Sequence, residues 1–241
     1  MAMNNTPYKP ANWKTSGTYA FAPSLGEVTL YAFNLCGIRP TALLQEHMDS
    51  ARMATNMLLG RWSSQGVNLW AVDLQCIPLK QGCSTYQVPS NTVVMLDAYI
   101  VQNSGNSAID RLILPISRSE YSSYPNKQQQ GFPTTYWFDR LLAPTVTLWP
   151  VPDGNESQFK YYRLRQIQDA NFQDGQQIEI PYYFLEALAY GLASRLAMIW
   201  APEKVQLLKP MADEAYDIAA SQNIETASFY ISPLVAGYFR P

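Results

Sequence analysis

Across residues 41–64, Leu44, Met48, Ala51, Thr55, Leu58 and Trp62 recur at alternating spacings of four and three. That spacing keeps one stripe of a helix turned toward a partner. Gln45, Glu46, Asp49, Arg52 and Asn56 occupy the other side, so the pattern predicts a helix with a single buried face, capped by Thr41 and stopped by Gly66. A shorter helix is predicted over residues 25–36. Ser24 and Glu27 make a capping-box pair at its start, Leu25, Val28, Leu30, Tyr31, Phe33 and Leu35 are its apolar positions, and Gly37 ends it. Near the other end of the chain, Pro181 stands where a first-turn proline belongs, and Leu185, Leu188, Leu192, Leu196 and Ile199 form one apolar face. Ala201 and Pro202 break that helix, and Val205, Leu208, Ala212, Ala215 and Ile218 predict an antiparallel successor. The helices over 41–64 and 181–200 each need a partner, and pairing them would bury Leu58.

From Leu69 to about Gln166 the period shortens to two. Trp70 through Cys76 alternates, Gln81 and Gly82 make a turn, and Tyr86 to Val88 resumes the pattern; residues 93–101 and 111–115 flank a turn at 103–107. Ser117 with Glu120 predicts a short helix over 117–124, and Thr135–Asp139, Thr145–Trp149 and residues 158–166 supply the last strands. The expected class is α+β: a helical frame with an inserted antiparallel β domain, built as a sandwich or a sheet, and extended terminal arms. The division reads as an N-terminal arm over 1–23, a helical domain from 24–66 and 178–222, a β-rich insertion over 67–177 and a C-terminal arm over 223–241.

Composition narrows the function. The chain has 241 residues, of which 47% are hydrophobic, 13% aromatic and only 15% charged. Soluble domains carry about a quarter charged residues, and depleted charge with enriched Tyr and Trp is the signature of interface cores. A net charge of -2 argues against a dedicated nucleic-acid binder, whose phosphate contacts need a concentrated Lys/Arg face. The densest basic group, Lys160, Arg163 and Arg165, reads as a solvated strand face. Cys36, Cys76 and Cys83 with the single histidine, His47, match no metal or redox spacing, so neither metal nor cofactor is expected. No nucleophile–base pair is visible, the acidic pairs of Asp213 with Glu214 or Asp217 lie on a solvated helix face, and no Gly-rich phosphate cradle is present, which argues against an enzyme. Tyr121, Tyr124, Phe132, Tyr136, Trp137 and Phe138 could form a stacking platform for sugars or bases, but strand alternation sends Trp137 to one face and its two neighbours to the other. No stretch reaches the roughly 20 apolar residues of a membrane helix, and residues 1–23 lack a signal-peptide core, so assembly in a cytoplasm away from membranes is expected.

The C-terminal segment is apolar for a free end. Phe229, Tyr230, Ile231, Leu234, Val235, Tyr238 and Phe239 fall within eleven residues interrupted by Pro233 and Gly237, a poor helix and a poor solitary strand. These seven side chains are the candidate contacts for a neighbouring subunit or another protein.

The segments RWSSQGVNLWAVD, SRSEYSSYPNKQQQGFPTTYWFDR, LWPVPDG and IPYYFLEALAYGLASRLA, in that order, give the chain a resemblance over roughly residues 23–222. It resembles the head-to-tail adaptor proteins of tailed bacteriophages, the family of podovirus tail accessory and packaged-DNA stabilisation factors. The resemblance implies a structural virion protein at the head–tail junction, a homo-oligomeric ring of about twelve copies matching the portal. It also implies portal protein on one side, a tail or nozzle protein on the other, help in retaining packaged DNA, and DNA contact only by passage through the channel. In podovirus members the C-terminal segment reaches the portal, the position held here by Phe229 to Phe239. A receptor- or glycan-binding tail module is the alternative that the aromatics would favour.

Overall fold

A computed structural model describes residues 16–19, 21–66, 68–104, 107–154, 157–173 and 175–223. The helices are α1 (Leu25–Leu35), α2 (Gln45–Gln65), α3 (Arg118–Ser123), α4 (Leu185–Trp200) and α5 (Val205–Gln222). The strands are β1 (Val72–Pro78), β2 (Thr85–Gln87), β3 (Thr92–Ser104), β4 (Ser107–Pro115), β5 (Gln130–Gly131), β6 (Thr135–Asp139), β7 (Thr145–Trp149), β8 (Val151–Pro152) and β9 (Ser157–Arg165). The fold is α+β, with a curled sheet set between the helical segments of the chain.

Helix α4 is the centre of the helical part, with α1, α2 and α5 all packed on it. Leu188, Leu192 and Leu196 are fully buried on it, as the apolar stripe predicts, but Ile199 is exposed near its last turn. One cluster joins Leu58, Leu59 and Trp62 of α2 to Phe184, Ala187 and Leu188, and a second joins Ala32 and Phe33 of α1 to Leu192, Ala193 and Leu196. Gly191 lets α2 come close. A Cβ on Gly191 would stand 2.9 Å from Leu58 Cδ2, inside ordinary van der Waals contact.

Several helix ends differ from the sequence expectation. The capping box at α1 is present, with Glu27 N–H donating to Ser24 Oγ and Ser24 N–H to Glu27 Oε2. Thr41, by contrast, does not cap α2. Pro40–Ala42 forms a 3-10 turn, α2 begins at Gln45, and Leu44 lies outside the stripe with 61% of its surface exposed. Proline presets the first-turn dihedral, so the turn closes there and the helix starts later. Gly66 ends α2 at φ 72°, in the left-handed region as expected. Pro181 precedes a 3-10 turn, Tyr182–Phe184, and not α4 itself. In α5 the buried residue of the final turn is Ala219, while Ile218 is exposed.

The seven-stranded sheet runs β1-β9-β3-β4-β6-β7-β2. All its pairings are antiparallel except β4 with β6, where Leu114 pairs with Thr135 and Pro115 with Tyr136 in parallel. The chain between them contains α3, long enough to bring β6 back in the same direction. A purely antiparallel insertion is therefore replaced by one mixed sheet, curled so that Ala98, Ile100, Ile113, Phe159 and Tyr161 share a core with Val88, Tyr136, Val146 and Leu148. Tyr136 and Trp137 do divide between faces: Tyr136 is buried in that core, whereas Trp137 stacks on Tyr121 with centroids 5.4 Å apart.

Arg163 and Arg165 of the basic group on β9 do not form a solvated face. Arg163 is only 5% exposed and donates to both Asp73 oxygens at 2.7 and 3.1 Å, to Asn91 Oδ1 at 2.8 Å and to Thr92 Oγ1 at 2.9 Å. Strand alternation puts Arg163 and Arg165 on the same face as Phe159 and Tyr161, so the sheet core continues into charged groups that need internal partners. Arg165 pairs with Glu179, one bond being 2.9 Å, and its carbonyl accepts from Asn68 Nδ2 at 2.7 Å.

Two outcomes follow. Leu58→Ala should cost about 2–5 kcal/mol, and Gly191→Ala about 1–3 kcal/mol from overpacking. Because both act through one contact, the double variant should lose less than the sum, read from denaturation midpoints; strict additivity would remove Leu58–Gly191 as the spacing constraint. The hydrogen bonds from Arg163 and Arg165 hold the Asp73 and Glu179 carboxyls below their ordinary ranges. Depressed folded-state values mean that this stability is complete above the unfolded carboxylate range, about 3.9–4.3, and drains away as pH falls through the folded values. Glu179→Gln should cost on the order of 1–3 kcal/mol at pH 7 and flatten the fall of stability below about pH 4.

Candidate interaction surfaces

The residues first weighed for chemistry turn out to serve packing. His47 is buried at the first turn of α2, where its Nδ1 accepts from Leu44 N–H at 3.0 Å. Its ring lies 4.2 Å from the Trp200 ring and 5.8 Å from Phe33, centroid to centroid, so it closes the helix end that Thr41 leaves open. Cys36 is buried and donates to Ala193 carbonyl oxygen at 3.3 Å, and burial pushes its thiol up to about 11, away from thiolate chemistry. Cys76 is exposed and Cys83 half-buried. Asp213, Glu214 and Asp217 are exposed along α5. Among the described residues no group of three or more His, Cys, Asp or Glu could hold a metal ion.

The aromatic candidates pair with one another. Tyr121 lies on Trp137, Tyr124 lies 4.2 Å from Trp149, and Lys127 Nζ stands 5.8 Å from the Tyr121 ring centre. Arg111 is 4.9 Å from the Phe132 ring centre. Phe229, Tyr230, Ile231, Leu234, Val235, Tyr238 and Phe239 lie outside the described residues.

Two surfaces emerge that the sequence patterns did not single out. The first is a groove between α1 and α4. It is lined by Val28 and Tyr31 of α1, by Tyr182, Leu185, Ala189 and Tyr190 at the start of α4, and by Tyr19, Phe21 and Pro23 of the segment before α1, with Glu27 and Glu186 as its two carboxylates. Tyr182 is 78% and Tyr31 50% exposed, large aromatic faces left to water. Desolvation first, then the neighbouring Tyr31 and Glu186, hold the Tyr190 phenol above its ordinary range. The hydrogen bonds from Ser24 hold the Glu27 carboxyl below its ordinary range.

The second surface is the outer face of β1-β9-β3-β4. Register places Leu74 beside Tyr162, and Lys160 beside Tyr99, which in turn faces Leu112. Leu112, Leu114, Leu74 and Tyr162 are all exposed, so the face opposite the sheet core is also apolar. The exposed stripe Leu207, Met211 and Ile218 runs along α5 beside its buried one. Spacing alone could have found that stripe, because 207, 211 and 218 fall on one helix side. The groove had no such signal, since it forms only when residues more than 150 positions apart are brought together.

His47→Gln should retain the cap through the amide oxygen, cost about 1 kcal/mol and leave assembly of particles intact. Melting curves beside a particle-assembly assay check it; loss of assembly at unchanged stability would give His47 a role beyond packing.

No helix among the described residues is long and apolar enough to cross a membrane. A search of curated proteins returns no match. The model of the SU10 adaptor protein family matches residues 41–235, a span that takes in α2, the whole sheet, α4 and α5. With a match over most of its length, and with broad apolar surfaces still facing water, the chain belongs to the SU10 adaptor protein family and is a phage adaptor protein.

Proposed function

We propose that this adaptor assembles as a homo-oligomeric ring between the portal and the tail of a tailed phage, helps retain packaged DNA and attaches tail components. The observation that carries the reading is the family match over residues 41–235, joined to the apolar faces of the sheet and of α5, which need protein partners. The copy number is about twelve, to match portal symmetry. DNA passes through the ring without being gripped, an assignment supported by the net charge of -2 and by the use of Arg163 and Arg165 in internal ion pairs. The chain acts as a structural part of the virion at the head–tail junction, with no cofactor and no reaction to catalyse.

In this reading residues 24–66 and 178–222 form one helical domain, 67–177 a β-rich insertion, and 1–23 and 223–241 two arms. Phe229, Tyr230, Ile231, Leu234, Val235, Tyr238 and Phe239 make the contacts with the portal or with the adjacent copy. The glycan-binding alternative is disfavoured because the aromatic faces that it would use pack on one another at Tyr121–Trp137 and Tyr124–Trp149.

Electron microscopy of the protein mixed with its portal should show closed rings on the portal face. Removing residues 224–241 should leave the helical and sheet signals of circular dichroism intact and weaken portal binding by at least about thirtyfold, the effect of losing a hot-spot cluster. Full-strength ring formation on the portal by the truncated chain would remove the C-terminal segment from the interface. A protein that stays monomeric beside the portal would remove the ring reading as a whole.

A further inference from the structure

Helices α2, α4 and α5 enclose a cavity of about 60 Å³ on the opposite side of α4 from the tyrosine groove. Gly191 and Ser194, both small and buried, leave the space open on α4, and the Ser194 hydroxyl is already committed to the Gly191 carbonyl at 2.9 Å. Trp62 and Tyr216 also line it, and their rings stack with centroids 6.0 Å apart, linking α2 to α5. Two cations complete the lining: Arg61 from α2, which is exposed, and Arg195 from α4, which is half-buried.

Neither cation has a counterion. Among the described residues the ion pairs run from Arg163 and Arg165 to Asp73 and Glu179, and none engages Arg61 or Arg195. Neither guanidinium donates a hydrogen bond among those residues either. Burial, and after it the neighbouring Arg61, hold the Arg195 guanidinium below its ordinary range, yet arginine keeps its charge in a folded protein. The free subunit therefore holds two like charges at one cavity, one of them partly desolvated, an arrangement that an anion relieves. Asp213 lines the same cavity and offsets one of the two charges, which leaves a place for one more anion.

Size and charge select a carboxylate. On the same measure a water molecule takes about 10–15 Å³, so the cavity accepts one small group and excludes a sugar or a base. The guanidinium fork matches the two oxygens of a carboxylate. A nucleic-acid backbone would meet only two cations, with Asp213, Glu214 and Asp217 exposed on α5 beside them, too few for a row of phosphates. The chain can supply the group itself, because Asp97, Asp110 and Asp153 of the sheet part are exposed and enter no ion pair among the described residues. Contacts around a ring are head-to-tail, so the surface that presents a carboxylate differs from the surface that receives it.

We propose that the cavity between Arg61 and Arg195 receives a carboxylate side chain of the neighbouring copy, so that these two cations gain their counterion only on assembly. The proposal deepens the ring reading above and rests on it.

The test uses full-length protein assembled on its portal. Equal amounts of heavy-isotope and ordinary chains carrying Arg61→Lys are mixed, assembled and treated with a carbodiimide, which joins an amine to a touching carboxylate as an amide and takes up the water released. Mass spectrometry should find the peptide holding position 61 joined to an acidic peptide of the other isotope. Products of one isotope only, or none at position 61, would overturn the proposal. In parallel, Arg61→Met with Arg195→Met keeps the aliphatic stems and removes the charges. It should weaken association between copies at least about tenfold, while the free subunit melts at the same temperature or higher, because a repulsion has gone. Rings formed at parental strength by this double variant would overturn the proposal and leave the ring reading standing. So would a lower melting temperature of the free double variant, which would make the pair structural. Intact rings that lose packaged DNA faster would move the pair to DNA phosphate and overturn it too. A parent that stays monomeric beside the portal would remove both readings together.

Discussion

Where the sheet meets the helices, one ion pair, Arg165 with Glu179, gathers the chain from both sides. Glu179 receives the Arg165 guanidinium from the end of β9 and the Gln168 N–H, and its own carbonyl accepts from Trp70 Nε1 at 2.9 Å. Trp70 in turn lies 4.9 Å from Phe184, at the head of α4. Asn68, just past α2, donates to the carbonyl of the same Arg165. Both connections between the sheet and the helices, the one entering β1 and the one leaving β9, are therefore tied to the two residues of a single half-buried ion pair. Such a pair contributes little by charge attraction alone, but removing one partner leaves a desolvated charge, and that asymmetry locks the relative placement of sheet and helices. The segment after β9 is stitched down as well, with Ala170 and Asn56 exchanging two hydrogen bonds at 2.8 and 3.0 Å and Ile167 N–H donating to Ser63 Oγ.

Four of the chain's few charged side chains serve inside the fold. Arg163, Arg165, Asp73 and Glu179 are used between strands and at the joint, in ion pairs that hold the fold together. With so few charges in the chain, the outer sheet face, the flank of α5 and the groove beside α1 are left with Leu, Met and Tyr. An adaptor is rarely without neighbours, and apolar faces that would be a hazard in a monomer become contact area in an assembly. The groove differs from the other two surfaces by being concave.

What was legible in the sequence was whatever repeats locally. The stripe of α2, the leucines of α4, the Ser24–Glu27 cap, the Gly66 stop and the bounds of β6 and β7 each follow from a few neighbouring residues, because side-chain direction repeats every 3.6 residues in a helix and every two in a strand. The α+β class followed from the same periods, and the order of aromatic segments pointed to the adaptor family. The tertiary structure decided the rest. His47 became the cap of α2 because Pro40 turned the chain early and Phe33 and Trp200 closed around the ring. Arg163 became a buried ion pair because Asp73, on the adjacent strand, pairs with it in register, and no local pattern carries a partner ninety residues away. The parallel join of β4 to β6, the closed sheet core and the tyrosine groove likewise depend on which distant segments meet. Period and capping are properties of a residue and its near neighbours, whereas burial of a charge or the opening of a groove is a property of the space that the whole chain encloses.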